Sequence, residues 1–413
     1  MRAERLTDAL PGIARFLRTR MPLRPLTILS ALLHAYIGLR LLPSLWALTP
    51  VGALALLLAL VVSAATIPLP FVGLGSQRPP LHDAWRWIGL LCMGWFSSLL
   101  VLTLVRDAGL LIGWAAQWVG ALRFDGAAAR RWSAAAVPLL ATAVTAVGFF
   151  NARRTAPVQR VDVPIRDLPA ALVGFSIVQL SDIHVGPTIR RGYIQRIVDA
   201  VNRLEADAIA ITGDLVDGSV AELREHIAPL ADLRARHGTF VVTGNHEYYA
   251  GAPAWIVELR RLGLRVLLNE HVLLDARGAA GAQTDEESGD ATLVLAGVTD
   301  FTAGHFDAAQ ASDPHAALAG APASATTRVL LAHQPRSAPA AADAGFQLQL
   351  SGHTHGGQFF PWNLFVPLQQ PFTAGLHRLR DMWVYTSRGT GYWGPPKRFG
   401  APSEITLLRL VAG

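Results

Sequence analysis

The residues best suited to chemistry in this sequence are aspartates, histidines and one asparagine that stand in short clusters. The clusters are Asp182-Ile183-His184, Gly213-Asp214-Leu215-Val216-Asp217, Gly244-Asn245-His246-Glu247, the single His333, and Gly352-His353-Thr354-His355. They offer oxygen and nitrogen ligands but no thiolate, because Cys92 is the only cysteine and lies in an apolar segment. Such ligands favour Mn, Fe, Zn or Co over copper(I) or a thiolate zinc site. Two such cations side by side on a protein serve mainly to hydrolyse phosphate esters.

Each cluster follows an apolar run that is typical of a β-strand. These runs cover residues 175–180, 208–212, 239–243, 328–331 and 347–350. Helical patterns lie between several of them, as at 194–204, where apolar residues recur on one face. Strand, loop and helix thus alternate, which predicts a soluble α/β domain with its ligands at the carboxyl ends of the strands.

The spacing within the clusters suits metal binding. In Asp182-x-His184 and His353-x-His355, alternate residues of an extended chain share a face. Asp214 has two oxygens that can bridge two cations about 3.5–4 Å apart. Asn245 adds a neutral oxygen ligand, and His333 completes the second site. Taken singly, Asp182-x-His184 also fits a surface turn, and Gly213-Asp214 fits the N-cap of a helix.

Five such clusters in this order resemble the calcineurin-like metallophosphoesterase superfamily, whose blocks are D-x-H, G-D-x-x-D, G-N-H-[DE], a later H, and G-H-x-H. The segment from Ser387 to Pro396 and the Asp182-Ile183-His184-Val185-Gly186 form of the first block resemble its membrane-associated bacterial branch. The resemblance implies a four-layer α-β-β-α sandwich of two mixed sheets flanked by helices. It covers residues 170–410 strongly and the apolar half mainly by layout.

The resemblance also implies roles for the cluster residues. One metal would be held by Asp182, His184, Asp214 and His355, and the other by Asp214, Asn245, His333 and His353. A hydroxide between the two cations would attack phosphorus in line, and His246 would lie near the leaving oxygen as proton donor or charge stabiliser. We call the seven ligand residues the candidate ligands.

Some neighbouring residues stay open between two interpretations. Asp217 either orients a ligand histidine or caps the next helix, and Glu247 could simply be solvated in a turn. We predict that three cationic residues hold the non-reacting part of an anionic substrate, namely Arg388, Lys397 and Arg398. The alternative is that they contact lipid phosphates. Three aromatic residues have two interpretations: they form an apolar wall that contacts a lipid or a base, or they are buried in the core. These residues are Tyr248, Tyr249 and Trp393.

The amino-terminal part of the chain is strongly apolar and nearly free of acidic residues. Four stretches, 26–46, 49–71, 85–105 and 132–150, are long enough to cross a bilayer as helices. The apolar stretch 108–122 either extends the third helix, lies in the interface or forms a fifth crossing. We therefore predict a membrane domain of about four transmembrane helices in residues 1–150, an extended linker in 151–169 and a metallophosphoesterase domain in 170–413.

The net charge of +6 rests on arginine, because Lys397 is the only lysine. Many arginines flank apolar segments, which indicates contact with membrane lipids. Aromatic residues are not interleaved with a basic stripe, so we expect no nucleic acid as a partner. Arginines before the first apolar stretch favour a cytoplasmic start, and four crossings would return the soluble domain to the cytoplasm.

These observations predict an integral protein of the bacterial inner membrane that hydrolyses phosphoric esters or anhydrides. The substrates would be phosphorylated small molecules or lipids, including lipid-linked and nucleotide-linked ones. The alternative is a non-catalytic membrane sensor that binds metal or ligand. The intact set of candidate ligands and His246 disfavour this alternative, and transport finds little support because paired ionisable residues in the apolar half are few.

Overall fold

The structure is a computed structural model that describes residues 23–71, 81–275, 292–325 and 327–413. It divides the chain into two compact units, Met1–Val147 and Gly148–Gly413. The arginines before residue 23, on which the predicted orientation depends, lie outside the described residues.

Apolar helices make up the described part of the first unit. They are α1 (Leu23–Leu48), α2 (Pro50–Thr66), α3 (Leu81–Trp118) and α4 (Gly126–Arg153). Three of them contain segments long and apolar enough to cross a membrane, at Thr27–Leu48, Asp83–Trp118 and Gly126–Arg153. The second predicted crossing forms α2, which has only 17 residues. The stretch 108–122 mostly extends the third helix, because α3 continues without a break to Trp118.

Polar side chains inside the first unit are paired between helices. Nε2 of His34 on α1 lies 2.9 Å from Oγ of Ser63 on α2. Asp107 on α3 accepts hydrogen bonds from the hydroxyl of Tyr36 and from Nε of Arg40, both at 2.7 Å. These contacts satisfy groups that would otherwise be costly in an apolar environment.

Two six-stranded sheets form the centre of the second unit. Their orders are β1-β12-β2-β3-β4-β5 and β10-β11-β9-β8-β7-β6. The strands are β1 (Val158–Ile165), β2 (Ser176–Leu180), β3 (Ala208–Thr212), β4 (Thr239–Val242), β5 (Arg265–Val266), β6 (Glu270–Asp275), β7 (Thr292–Gly297), β8 (Thr327–Leu331), β9 (Leu348–Ser351), β10 (Gly375–Leu379), β11 (Met382–Thr386) and β12 (Ile405–Ala412). In the first sheet β2, β3, β4 and β5 run parallel, and in the second β7, β8, β9 and β11 do.

Helices cover the outer faces of both sheets. They are α5 (Arg191–Asn202), α6 (Val220–Ile227), α7 (Asn245–Ala250), α8 (Ala252–Arg261), α9 (Pro314–Ala317) and α10 (Ala338–Ala344). One apolar core packs residues of α5 and α8 against the first sheet, and another packs α10 against the second. A third core lies between the sheets and includes Phe240, Leu295 and Leu350. All five residues of β3 are buried, because both faces of the sheet are covered. The predicted four-layer α-β-β-α sandwich is therefore confirmed.

The structure differs from the sequence interpretation in three places. The segment 151–169, predicted as an extended linker, contains β1, which pairs in parallel with the last strand, β12. Strand β10 also lies where the sequence pattern predicts no strand. The stretch 306–325 forms short turns and the four-residue α9, although its alanine-rich composition favours a longer helix. Pairing of β1 with β12 joins residues from opposite ends of the unit, so no local sequence pattern could reveal it.

Candidate metal centre

The seven candidate ligands stand shortly after the ends of five strands. Asp182 and His184 follow β2, Asp214 follows β3, and Asn245 stands at the start of α7 after β4. His333 follows β8, and His353 and His355 follow β9. Both sheets contribute, so the candidate ligands meet where the carboxyl ends of the parallel strands of the two sheets come together.

One group of ligand atoms joins Asp182, His184 and His355. Their ligating atoms lie within 4.8 Å of one another. Nε2 of His184 is 3.0 Å from Nε2 of His355, and Nε2 of His355 is 3.5 Å from Oδ1 of Asp182. All three residues are buried. The group provides two nitrogens and a carboxylate oxygen for one cation.

A second group joins Asp214, His333 and His353, again with ligand atoms within 4.8 Å of one another. Oδ2 of Asp214 is 3.2 Å from Nε2 of His333, which is 3.2 Å from Nδ1 of His353. The same Oδ2 lies 3.8 Å from Nε2 of His184 in the first group. Asp214 is therefore placed between the two groups, as expected for a bridging carboxylate.

Asn245 fits this donor set through its side-chain oxygen. Oδ1 of Asn245 is buried and has no hydrogen-bond partner in the part of the chain that the structure describes. A buried polar atom without a partner costs free energy unless something binds it. A cation beside Asp214 would bind it.

The backbone at the candidate ligands adopts an uncommon conformation. Five of the seven have a positive φ, namely Asp182 (52°), His184 (56°), Asp214 (52°), His353 (71°) and His355 (52°). This left-handed region is disfavoured for residues with a Cβ and occurs mainly where the surrounding structure enforces it. The fold therefore holds these side chains in directions that ordinary loops would not give them.

Two glycines allow the loops to approach closely. A Cβ on Gly244 would lie 2.2 Å from Oδ1 of Asp214, and one on Gly352 would lie 2.2 Å from Oδ2 of Asp182. Any side chain at these positions would displace a candidate ligand. The glycines beside the clusters are thus required by the packing of the carboxylates.

Asp217 connects two histidines. Its Oδ1 lies 2.8 Å from Nδ1 of His184 and 2.7 Å from Nδ1 of His246. Of the two interpretations of Asp217, the geometry therefore supports orientation of histidines, whereas Ser219 is the N-cap residue of α6. A carboxylate on Nδ1 fixes the ring and leaves Nε2 pointing into the site.

His246 itself lies beside the candidate ligands. Its backbone N–H donates to Oδ1 of Asp214 at 2.9 Å, and its Nε2 is 3.9 Å from Oδ2 of the same residue. Burial lowers the pKa of His246, but Asp214 and Asp217 outweigh this effect and raise it to about 9. The ring is therefore placed to carry a proton at the edge of the site.

Glu247 is not a solvated turn residue, contrary to one sequence interpretation. It is buried, and its carboxylate accepts four backbone N–H bonds, from Gly244, Asp214, Leu215 and Val216, at 2.6–3.3 Å. It occupies the N3 position of α7 and reaches back to the N–H of the N-cap residue Gly244. This is one half of a capping box, because glycine has no side chain to supply the other half. Glu247 thus holds the backbone from Asp214 to Val216 against that of Gly244.

Electrostatics prepare some of the candidate ligands, but not all of them, for a cation. Burial raises the pKa of Asp214, but His333 and His246 hold it well below its usual range. Burial and the charge of His333 lower the pKa of His353 to about 3, and burial with Arg398 lowers that of His355 well below its usual value. An ionised carboxylate and neutral imidazoles are the forms that bind metal.

Burial lowers the pKa of His333, but Asp214 outweighs this effect and raises it well above its usual value, and burial raises the pKa of Asp182. A cation would have to displace protons from these two residues.

The three predicted substrate-binding cations lie in different surroundings. Arg398 is fully buried, donates to the carbonyls of Gly391 and Arg388, and lies 3.0 Å from Nδ1 of His355. Lys397 is also buried, with its ammonium 4.8 Å from the ring centre of Phe359. Both are held within the fold as deeply as the candidate ligands themselves, and their contact with substrate stays a prediction. Arg388 is partly exposed and pairs with Glu404 at 2.8 Å, so contact of Arg388 with substrate stays a prediction.

Two of the three aromatic residues line the mouth of the site. The ring centres of Tyr249 and Trp393 lie 5.4 and 5.7 Å from that of His246. Tyr249 is 56% exposed and Trp393 is 50% exposed. Tyr248 is buried and belongs to the core. The site thus opens beside an exposed aromatic surface.

Sequence reasoning missed a buried hydrogen-bond chain behind His333. Nε2 of Gln334 donates to both oxygens of Asp300, which is fully buried, at 3.1 and 3.2 Å. Nε2 of Gln370 donates in turn to Oε1 of Gln334 at 3.1 Å. No local pattern signals this chain, since its three members come from separate loops.

The two-sheet fold and the convergent carboxylates and imidazoles define a phosphoesterase that uses metal ions. Comparison with known proteins agrees: the family profile "Calcineurin-like phosphoesterase" matches residues 175–357. A "Transmembrane protein with metallophosphoesterase domain" from Bos taurus is 40% identical over 332 residues, which cover 78% of this chain and 72% of that protein. The chain belongs to the calcineurin-like phosphoesterase family, whose members are metal-dependent hydrolases.

Other relatives cover less of their own length. A protein of the same description from Danio rerio is 39% identical over 66% of this chain and 61% of its own. An "Uncharacterized metallophosphoesterase" from Helicobacter pylori is 40% identical over 57% of this chain and 59% of its own. The chain thus spans less than two thirds of these two relatives. The names of the relatives from Bos taurus and Danio rerio describe transmembrane proteins. They agree with the apolar helices of this chain in indicating membrane association.

Proposed function

We propose that this protein is a membrane-anchored phosphohydrolase that works with two divalent cations. The observation that carries the proposal is the position of Asp214, whose Oδ2 lies 3.2 Å from His333 and 3.8 Å from His184. One carboxylate thereby reaches both groups of candidate ligands. Asp182, His184, Asp214 and His355 would hold one cation, and Asp214, Asn245, His333 and His353 the other.

When bound, the two cations lower the pKa of an attacking water and offset the charge of the phosphoryl oxygens. The protein supplies position and proton transfer. Asp217 holds Nδ1 of His246 at 2.7 Å, which leaves Nε2 available to donate a proton to the leaving oxygen. Arg388 lies near the turn of the last two ligand histidines, with its Cγ 3.0 Å from where a Cβ on Gly356 would lie. We propose that it contacts the non-reacting part of the substrate.

The substrates we propose are phosphodiesters or pyrophosphates, either lipid-linked or nucleotide-linked. Mn, Fe, Zn or Co would suit the nitrogen and oxygen ligands. We further propose that residues 1–150 anchor the protein in a bacterial inner membrane with the catalytic domain on the cytoplasmic side. Because β1 belongs to the first sheet, we propose that the catalytic domain extends into the segment 151–169.

The test is hydrolysis of bis-(p-nitrophenyl) phosphate by the purified full-length protein in detergent with added manganese. His246→Ala and Asp214→Asn should each lose activity, whereas the control His315→Ala, at an exposed position on α9, should retain it. Equal rates in all four proteins would contradict the proposal. Absence of hydrolysis together with tight metal binding would instead favour the non-catalytic sensor.

A further inference from the structure

An exposed apolar loop follows the last two candidate ligands. We call residues 359–372 the 359–372 loop. It carries five large apolar side chains that are about half exposed or more, within nine positions: Phe360 (54%), Trp362 (46%), Leu364 (62%), Phe365 (52%) and Leu368 (81%). The ring centres of Trp362 and Phe365 lie 5.8 Å apart. Exposed apolar residues clustered in this way mark an interaction site, whereas single ones need no explanation.

The backbone of the loop satisfies many of its own hydrogen bonds. Two short 3₁₀ turns, Trp362–Leu364 and Val366–Leu368, follow one another directly. The N–H of Leu364 donates to the carbonyl of Pro361 at 2.9 Å, and that of Leu368 donates to Phe365 at 3.1 Å. Paired backbone groups can enter an apolar medium at low cost, whereas bare ones cannot. The loop can therefore present apolar side chains to a non-aqueous environment.

The loop is joined to the metal centre at both ends. Near its start, the backbone of Asn363 packs against Gly357, where a Cβ would lie 2.2 Å from Cα of Asn363. Just after its end, the carbonyl of Thr373 accepts a hydrogen bond from the hydroxyl of Thr354 at 2.6 Å. Thr354 stands between the candidate ligands His353 and His355. Whatever the loop binds is therefore held beside the metal centre.

An aromatic surface connects the loop to the leaving-group side of the site. Nε2 of Gln358, directly before the loop, donates to the carbonyl of Trp393 at 2.9 Å. The exposed Trp393 ring lies 5.7 Å from the ring of His246. Trp393 is thus in contact with His246 through its ring and with the residue before the loop through its backbone, so an apolar chain attached to a phosphoryl group at the site would lie near the loop.

The charge pattern favours a lipid surface over an acidic or mixed protein partner. The 359–372 loop itself contains no aspartate or glutamate. Arg378 and Arg380, which follow the loop, are paired with Asp381 and Asp343, so they add little net charge. The exposed Arg336 donates to the carbonyl of Gln369 within the loop at 2.7 Å. Aromatic residues beside an arginine, in a segment without acids, are typical of the surface of an anionic bilayer. In the part of the chain that the structure describes, three helices are long and apolar enough to cross a membrane, so membrane association would keep a bilayer close to the loop.

We propose that the 359–372 loop enters the interfacial layer of an anionic bilayer, and that the metal centre consequently acts on phosphorylated substrates with an apolar chain held in that bilayer. The second part rests on the proposed phosphohydrolase function. The first part is a binding property and can be tested without activity.

Insertion can be measured on the full-length protein in vesicles of phosphatidylcholine and phosphatidylglycerol. In a Cys92→Ser background, a single cysteine at Leu368→Cys is labelled with the fluorophore NBD, and lipids with a spin label on the acyl chain serve as quenchers. The control is Glu225→Cys, at an exposed position on α6. We expect at least twofold stronger quenching at position 368 than at position 225. Equal quenching, or a shielded fluorophore that the lipids do not quench, overturns the proposal, and the latter result would indicate a protein partner.

The substrate class is tested with two probes that share one leaving group. Bis-(p-nitrophenyl) phosphate is soluble, and hexadecyl p-nitrophenyl phosphate resides in the vesicles. The Phe365→Ser/Leu368→Ser variant should lose at least fivefold in kcat/KM on the lipid probe and keep its rate on the soluble one. The matched control Val257→Ser removes a 68% exposed apolar side chain from α8 and should keep both rates.

Equal losses on both probes would mean that the loop only supports the fold, and no loss on either would mean that it contacts no lipid. Both results overturn the proposed substrate class. If the unaltered protein hydrolyses neither probe, the phosphohydrolase function fails, while the quenching experiment still decides whether the loop enters the bilayer.

Discussion

Oδ2 of Asp214 lies 3.2 Å from Nε2 of His333, although Asp214 follows a strand of one sheet and His333 follows a strand of the other. The contact shows that the candidate metal centre draws its side chains from both sheets of the sandwich. It also makes Asp214 the residue whose loss should affect both groups of candidate ligands.

Asp214→Asn should remove most of the activity and lower the metal content. An amide is neutral and binds cations more weakly than a carboxylate, and here it would replace the bridging ligand. The loss should exceed the roughly 10–100-fold that removal of an outer partner costs. Elemental analysis of the purified protein and phosphodiester hydrolysis measure the two effects. Asp199→Asn, at an exposed position on α5, is the matched control, and a variant with full metal content and activity would refute the bridging role.

Asp217→Asn should have a smaller effect. Its carboxylate orients His184 and His246 through their Nδ1 atoms, and loss of such a partner typically lowers metal affinity or activity about 10–100-fold. Titration of the metal-free protein with manganese gives the metal affinity. The hydrolysis rate is then measured at saturating manganese, so that a change in rate is not caused by weaker metal binding. The exposed Asp232→Asn provides the comparison. If Asp217 only capped a helix, melting temperature would fall while metal affinity stayed unchanged.

Gly244→Ala should disrupt the centre by steric overlap. The added Cβ would lie 2.2 Å from Oδ1 and 2.5 Å from the backbone nitrogen of Asp214. Such overpacking costs roughly 1–3 kcal/mol, and displacement of Asp214 should release metal. Gly192→Ala is the control, because among the described residues no atom outside its own stretch of helix α5 lies within 4 Å of the added Cβ. A Gly244→Ala protein with normal metal content would show that the loop can move aside without consequence.

Removal of metal should lower the melting temperature. The ligand loops hold five residues at positive φ, and a cation that binds only the folded state offsets that cost. Free metal at about 100 times its Kd stabilises a one-site protein by about 2.7 kcal/mol. Scanning fluorimetry with EDTA, and then with restored manganese, measures the shift. Asp214→Asn should respond much less, and an unaltered protein that melts identically with and without EDTA would speak against a metal-stabilised site.

Lys397→Met should stabilise the protein near neutral pH. Burial lowers the pKa of Lys397 to about 8, whereas an unfolded lysine has a pKa of about 10.4. Below pH 8 the ammonium of Lys397 is charged in the folded state, which therefore bears the cost of burying that charge.

As the pH rises from 8 to 10, Lys397 loses its proton in the folded state before it does so in the unfolded state. The free energy of unfolding of the unaltered protein therefore rises toward that of the variant. Melting curves from pH 7 to 10 should show a gap on the order of 1–3 kcal/mol that narrows with pH. The exposed Arg234→Met should leave the pH dependence unchanged, and a constant gap would contradict this account.

By itself, the sequence determined which residues can bind metal, that each follows a strand, and that the chain contains apolar helices. These features are local: a run of apolar residues predicts β3, and the residues after it reveal Asp214 and Asp217. The resemblance of five ordered clusters to one family supplied the four-layer sandwich, because the family pattern already records contacts between distant segments.

Only the tertiary structure decided which side chains meet. The pairing of β1 with β12, the burial of Lys397 and Arg398, and the four backbone bonds to Glu247 depend on contacts between segments far apart in the chain. Packing also decides which side chains of the 359–372 loop are exposed. Phe359 and Phe360 are the same residue type and adjacent in sequence, yet Phe359 is buried and Phe360 is exposed. Residue type sets what a side chain can do, but the packing around it sets whether water, a ligand or another residue is its partner.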